Sequence, residues 1–391
     1  MGRLARVLCV AAWLLLPVQM MAEEDRLGPD YIRASLLVAD PAAQPYAIFG
    51  HCALRLQCPS QQMDYCFTFE MSTSASQLLG FFRGTAMGAF KPAPTDAYTD
   101  YYRQEGRGLT EYELNLLPTE KLLLWRNADK EIARGFDRRY AYMHTQCASM
   151  LVSLVGSALE APVSYGDLTG LVDGSFRDLM LQAAQPYPWS AFFWQTVMGP
   201  EGDATGPVEH KLVPQKLPAA WQQATVGSGE RHLIVSPGRR IMEATPQADS
   251  CRTSPTAVFA LALLLIILVS GAQRFRGWHV VPRIVDGILL ALHTLAALLL
   301  LWMVLFSTQE GTGWNWYLLP FNPLPQLLWL TAPRWRRHTC RCFMALLLLT
   351  LVLTPCIPQL DLPHALLIAC LAVRLTFYIR KNKYNQIKRK I

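Results

Sequence analysis

Acidic side chains nearly vanish from the last third of this 391-residue chain. Between Ala272 and Ile391 there are 3 Asp and Glu against 14 Lys and Arg, whereas Glu23 to Gly271 carries 26 acids against 20 bases. The basic excess therefore belongs to the C-terminal part, and the mildly acidic remainder excludes a nucleic-acid-binding surface. No internal repeat and no low-complexity tract is found, which excludes solenoid arrays and biased linkers. Metal-ligand spacing is missing as well: His279, His293 and the Cys340/Cys342 pair have no matching second pair. No metal or other cofactor is expected.

What the C-terminal part does contain is apolar sequence. Thr256–Gly271, Ile284–Phe306, Phe343–Cys356 and Pro363–Ile379 read as spans of a membrane domain over residues 256–379. Between them Tyr317–Ala332 is apolar but holds Pro320, Pro323 and Pro325, so it is a broken span or a re-entrant segment. Charge decides. Arg274, Arg276 and Arg283 follow the first span, Arg334, Arg336, Arg337 and Arg341 follow the proline-rich segment, and Arg380–Lys390 follows the last. Ser307–Trp316 and Ile357–Leu362 lack Lys and Arg altogether. The positive-inside rule then predicts five crossings, residues 23–236 outside, and a basic tail from 380 to 391 in the cytoplasm. Arg374, in the last span, is expected to snorkel to the inner edge.

Met1–Ala22 has a basic start (Arg3, Arg6) and an apolar run from Val7 to Leu16, the pattern of a signal peptide, with an uncleaved anchor as the alternative. The exported domain holds Cys52, Cys58, Cys66, Cys147 and Cys251, an odd number that leaves at least one free thiol in an oxidising compartment. Cys58 and Cys66 flank a polar turn, where a hairpin disulfide is expected. Tyr31–Asp40 reads as a strand or a short helix, Ala47–Leu56 and Asp64–Met71 as strands, Thr119–Arg134 and Ser175–Ala184 as helices, and Ser76–Arg83 as a short apolar helix or strand. A polar linker is expected over residues 237–255.

Two stretches carry chemistry. Ala47–Leu56 is a strand that places His51 behind a glycine, and Arg139–Leu151 runs into an apolar helix with Cys147 in its first turn. A thiol at a helix N-terminus lies at the positive end of the macrodipole, which favours thiolate. A histidine on a neighbouring strand can take the thiol proton and return it to a leaving group. Glu70 shares a strand face with Asp64, Cys66 and Thr68 and is a candidate to orient the imidazole. Gln146 can donate an amide hydrogen bond beside the thiol, and His144 is an exposed neighbour. Arg55, Arg83, Arg107 and Arg177 are candidates for lipid phosphate, with pairing to nearby acids as the competing reading.

The order histidine strand, then cysteine helix, is the inverse of papain and resembles its circularly permuted relatives, among them lecithin:retinol acyltransferase. A closer resemblance covers nearly the whole exported domain. Phe49-Gly50-His51-Cys52-Ala53-Leu54-Arg55, Phe81-Phe82-Arg83-Gly84, Tyr102, Glu105 and Arg107 followed by Leu114-Asn115-Leu116 resemble the bacterial family, common in Bacteroidota, that includes the alternative lipoprotein N-acyltransferases. Phe176-Arg177, Pro188-Trp189, Gly199–Asp203 and Val213-Pro214 to Leu217 extend the match. The chain departs from that pattern at Thr145-Gln146-Cys147-Ala148-Ser149, where the family has Asp-Asn-Cys, and at Phe67, where it has glycine.

The resemblance implies an α+β, permuted papain-like exported domain followed by a helical bundle of about five spans in the bacterial inner membrane. It implies an acyltransferase that takes an acyl chain from a phospholipid donor, holds it as a Cys147 thioester, and passes it to the N-terminal amine of a diacylated lipoprotein acceptor. Backbone N–H groups at the start of the Cys147 helix would hold the oxyanion. Two other readings compete. NlpC-type peptidoglycan amidases and peptidases use the same Cys–His pair, although a soluble wall substrate does not require five spans. A non-catalytic envelope assembly factor would use both residues structurally.

Overall fold

The computed structural model describes residues 31–44, 46–71, 74–205, 212–229, 231–245, 253–273, 280–331 and 335–388. The expected signal peptide, Cys251 and the last residues of the basic tail lie outside them. The exported domain is built on a seven-stranded sheet of order β10-β5-β1-β2-β3-β4-β6, antiparallel throughout. Its strands are β1 (Arg33–Ala39), β2 (His51–Cys58), β3 (Met63–Met71), β4 (Met87–Pro94), β5 (Leu109–Glu113), β6 (Arg138–Arg139) and β10 (Arg239–Met242). Helices α1 (Ala75–Arg83), α2 (Thr95–Gln104), α3 (Pro118–Arg134), α4 (Cys147–Gly156), α5 (Phe176–Ala183), α6 (Pro188–Val197) and α7 (Leu217–Gln223) surround it. The strands β7 (Val163–Ser164), β8 (Thr225–Val226) and β9 (Arg231–His232) form a small second sheet.

Period-two alternation sorts the side chains of the central strands onto two covered faces. Ala34, Leu36, Val38, Cys52, Leu54, Leu56, Phe67 and Phe69 pack with Leu124 and Ala128 of α3 and with Ala148 and Leu151 of α4. Leu37, Ala39, Ala53 and Cys66 face the other way, onto Tyr98 and Tyr102 of α2. Because both faces are covered, β1 reads as a nearly unbroken apolar run. Cys58 stands opposite Met63 while Cys66 stands opposite Arg55, so the two thiols project from opposite faces. The expected hairpin disulfide is therefore absent and both cysteines are free.

Two strands fall where the sequence shows none. β4 contains Pro92 and Pro94, which sit beyond Met87–Gly88, the only part of the strand flanked by β6. A proline without an N–H is tolerated there because that edge is unpaired. β10 pairs with β5 and so carries the sheet into the stretch expected as linker.

Among the described residues four helices are long and apolar enough to cross a membrane: α8 (Pro255–Ala272), α9 (Val280–Phe306), α11 (Arg336–Leu353) and α12 (Leu362–Lys388). The fifth expected span is a 3-10 turn at Trp316–Leu318 followed by the eight-residue helix α10 (Leu324–Thr331). At 1.5 Å per residue α10 covers only about 12 Å. The segment nevertheless runs from one end of the bundle to the other. Its start is fixed beside the first turn of α12, where the Tyr317 hydroxyl donates to Gln359 O at 2.5 Å. Halfway down α9, His293 Nε2 lies 2.8 Å from Pro320 O, satisfying a carbonyl that the prolines release. Its far end leads into the arginine-rich start of α11. It has the form expected of a broken span, and its helix α10 leaves Leu324, Leu327, Leu328 and Leu330 exposed.

Arg374 does not snorkel. Its Nε lies 2.7 Å from Asp286 Oδ1 of α9 and its Nη1 donates to Ser270 Oγ of α8 at 2.8 Å, which ties three spans together at one level. At the opposite end the bundle is clasped to the exported domain. Thr308 N donates to Arg83 O (2.9 Å), Gly199 N to Gly311 O (2.6 Å) and Gln195 Nε2 to Pro358 O (2.8 Å). Exposed Trp189 and Trp314 mark that end and exposed Trp335 the other, as in an aromatic belt.

Candidate functional site

Gly50 shapes the approach to His51. It has φ +74°, and a Cβ there would meet Ala39 O and Gln215 Nε2 at 2.4 Å. Only glycine supplies both the left-handed turn and the clearance. The chain then enters β2 with His51 as its first residue, paired with Ala39 of β1. Opposite stands the first turn of α4, entered through the turn at Ala141–Thr145 and opened by Gln146 in extended conformation. Cys147 is the first residue of that helix and is buried at 4% exposure, while the imidazole keeps partial exposure.

The two groups are electrostatically joined. Burial pushes the His51 imidazole down, but charge attraction and a hydrogen bond with Cys147, followed by the charge of Glu70, outweigh it and leave it raised; Arg107 opposes them. The Cys147 thiol is held well below the ordinary thiol range. The largest cause is a hydrogen bond from the Cys52 thiol, followed, against the cost of burial, by the charge and hydrogen bond of His51 and by the Cys52 backbone N–H. Cys52 moves the other way, raised well above its ordinary value by burial and by Cys147, so it stays protonated as the donor. A thiolate–imidazolium pair is the chemistry this arrangement favours.

Thr68, on β3, supplies what Glu70 was expected to. His51 Nε2 lies 2.5 Å from Thr68 Oγ1, and the threonine hydroxyl donates to Cys52 O at 3.3 Å. With its one proton so engaged, the hydroxyl can only accept from Nε2–H, which leaves Nδ1 as the basic nitrogen. Glu70 instead pairs with Lys91 at 2.9 Å on the surface.

Gln146 also differs from expectation. Its Oε1 accepts from Ala148 N at 2.8 Å and caps the helix, and its Nε2 donates to Leu212 O at 3.1 Å. Neither that amide nor the Ala148 N–H is left for an oxyanion. The Cys147 N–H, at the first helical position, has no intrahelical carbonyl within reach.

The four arginines divide. Arg55 bridges Asp64 (2.6 Å) and Glu111 (2.9 Å). Arg177, 1% exposed, is held by Asp203, Gln195 and the carbonyls of Met198 and Gly199. Both act as internal ties and do not face lipid. Arg107 donates to Asp40 O at 2.8 Å and lies over the Tyr102 ring, with one buried terminal nitrogen unpaired among the described residues. Arg83 is exposed at the end of α1, against the membrane domain. His144 pairs with Glu310 of the clasp at 2.9 Å.

Sequence reasoning missed Cys52 and Thr68. Cys52 looks like one more apolar residue of the strand after His51, and Thr68 like one more β-branched strand residue. The β2–β3 register brings Thr68 to the imidazole, and the packing of β2 on α4 puts Cys52 in one core with Cys147. Among the described residues no cluster of ligating side chains could hold a metal ion.

Residues 21–168 match the family model for the Lnb N-terminal periplasmic domain, and residues 247–386 match that for the Lnb transmembrane domain. No curated protein and no solved structure matches the chain.

Proposed function

Since the chain belongs to the Lnb-type membrane-anchored lipoprotein acyltransferase family, and is thus a membrane-bound lipoprotein-modifying enzyme, we propose that Cys147 carries an acyl group between a phospholipid and a lipoprotein amine. The observation that carries this reading is the placement of Cys147 at the first position of α4, packed in one core with the strand β2 that opens at His51, with the thiol lowered and the imidazole raised by one another.

In the first half-reaction His51 holds the thiol proton on Nδ1 as an imidazolium and the Cys147 thiolate attacks the ester carbonyl of the phospholipid. The Cys147 N–H faces the developing oxyanion. The tetrahedral intermediate collapses, the C–O bond breaks, and the leaving lysophospholipid oxygen takes the proton back from His51. An acyl thioester and a lysophospholipid result. In the second half-reaction the N-terminal amine of a diacylglyceryl-cysteine lipoprotein attacks the thioester, His51 accepts a proton from it, and the thiolate leaves. Thr68 keeps the imidazole in the productive tautomer throughout. The catalytic domain works on the periplasmic side of the inner membrane, with the basic C-terminus in the cytoplasm.

The clasp between the two domains favours this reading over a wall hydrolase. Glu310, in the loop between spans, binds both the side chain and the backbone of His144, three residues before the thiol. A soluble wall peptide has no use for a nucleophile braced against the bilayer. Mass spectrometry of lipoprotein N-termini, in cells with and without the chain, tests the proposal. A triacylated terminus that depends on the chain and on Cys147 is expected; unchanged N-termini would overturn it.

A further inference from the structure

Helix α1 joins the thiol side of the exported domain to the membrane bundle, and its two sides differ. Its last turn is pinned to the residues that leave span α9: Ser307 Oγ donates to Phe82 O (2.6 Å), Thr308 N to Arg83 O (2.9 Å) and Gln309 Nε2 to Phe81 O (3.0 Å). On the inner side the Phe81 ring lies 6.2 Å from Tyr140, 6.2 Å from Tyr142 and 6.4 Å from Trp194. Tyr140 stacks on Phe69 and packs against the core cluster that holds Cys147.

The outer side is apolar and uncovered. Leu78 is 39% and Leu79 61% exposed. On a helical wheel Leu78, Phe82 and Leu79 span about 100°, with Arg83 at the edge of that arc. Where α1 is tied down, the last turn of span α9 exposes Leu305 and Phe306 at 62% and 61%. The exposed leucines of α1 thus belong to a helix pinned directly to the exposed apolar end of a candidate membrane span.

We propose that α1 is an interfacial helix resting in the outer surface of the bilayer, with Leu78 and Leu79 at the acyl boundary and Arg83 among the lipid phosphates. Phe81 then stands between lipid on one side and the thiol neighbourhood on the other, which makes α1 the rim over which an acyl chain reaches Cys147. The bilayer contact stands independently of acyl transfer; the role as access rim rests on it.

The test is photocross-linking of the full chain in vesicles of phosphatidylethanolamine and phosphatidylglycerol. A benzophenone amino acid replaces Leu79, with Leu264 in span α8 as the lipid-exposed reference and Leu122 on α3 as the exposed soluble reference (52% and 41% exposed). Lipid adducts by mass spectrometry are expected at 79 and 264 and not at 122. An adduct at 264 without one at 79, or a cross-link from 79 to protein in place of lipid, would overturn the proposal. Turnover is not needed for cross-linking, so loss of acyl transfer leaves this result readable. With activity present, Leu79→Asp should raise KM for phospholipid severalfold at unchanged kcat for hydrolysis of a soluble thioester; an unchanged KM would remove the access role.

Discussion

His51 Nε2 sits 2.5 Å from Thr68 Oγ1, and that contact leaves Nδ1 as the imidazole nitrogen available to the thiol. A threonine hydroxyl carries no charge, so it orients the ring without holding it protonated as a carboxylate would. Thr68→Val keeps the β-branched shape and removes the anchor. The loss of one buried hydrogen bond, about 1–2 kcal/mol, should lower kcat by about tenfold or more. Thr68→Ser should restore most of it, and steady-state kinetics on the three proteins decides.

Cys52 is expected to act on thiolate formation alone. Its thiol is the largest influence lowering Cys147. Cys52→Ala should therefore move the pH at which Cys147 is alkylated by iodoacetamide upward, toward the ordinary thiol range. The wild-type thiol should still react at pH values where a free cysteine is protonated. Peptide mass spectrometry at a series of pH values separates Cys147 from the other cysteines, and an unmoved profile would show that Cys52 only packs.

Arg107 opposes protonation of His51. The raised imidazole sets the alkaline limb of activity and the lowered thiol the acid limb, so the optimum lies between them. Arg107→Met removes a positive charge, which lets the imidazole hold its proton to higher pH. The alkaline limb should shift upward while the acid limb moves little. A shift to lower pH would contradict the assignment.

How much of this was legible in the sequence follows from which interactions are local. The strand that carries His51, although it opens at His51 and not at the expected Ala47, the helix opening at Cys147 and the four long spans are written in apolar period, glycine placement and length. β4 was hidden because Pro92 and Pro94 argue against a strand unless its edge is known to be free. The arginines were ambiguous for a similar reason. Arg55 and Glu111 are 56 positions apart and Arg374 and Asp286 are 88 apart, and nothing local tells a buried ion pair from a lipid contact. Thr68 needed the strand register, which the sequence carries only through pairing across the sheet, and Cys52 needed the packing of β2 against the start of α4.

The broken fifth crossing has its own check in two native cysteines. Cys342 and Cys356 are both exposed, near opposite ends of α11. A membrane-impermeant maleimide should label Cys356 from the periplasmic side and Cys342 only after the inner membrane is opened. The reverse pattern, or labelling of both from outside, would mean that Tyr317–Ala332 turns back without crossing.

The thioester is the central claim, and it can be caught directly. Purified full-length protein given phospholipid and no acceptor should gain one acyl chain on the Cys147 peptide, removable by neutral hydroxylamine, and leave lysophospholipid in equal amount. Adding a diacylated lipoprotein with a free N-terminal amine should discharge the enzyme into a triacylated product. An unmodified Cys147 in lipid-supplied, folded protein, or cleavage of a muropeptide without any acyl-enzyme, would contradict the account.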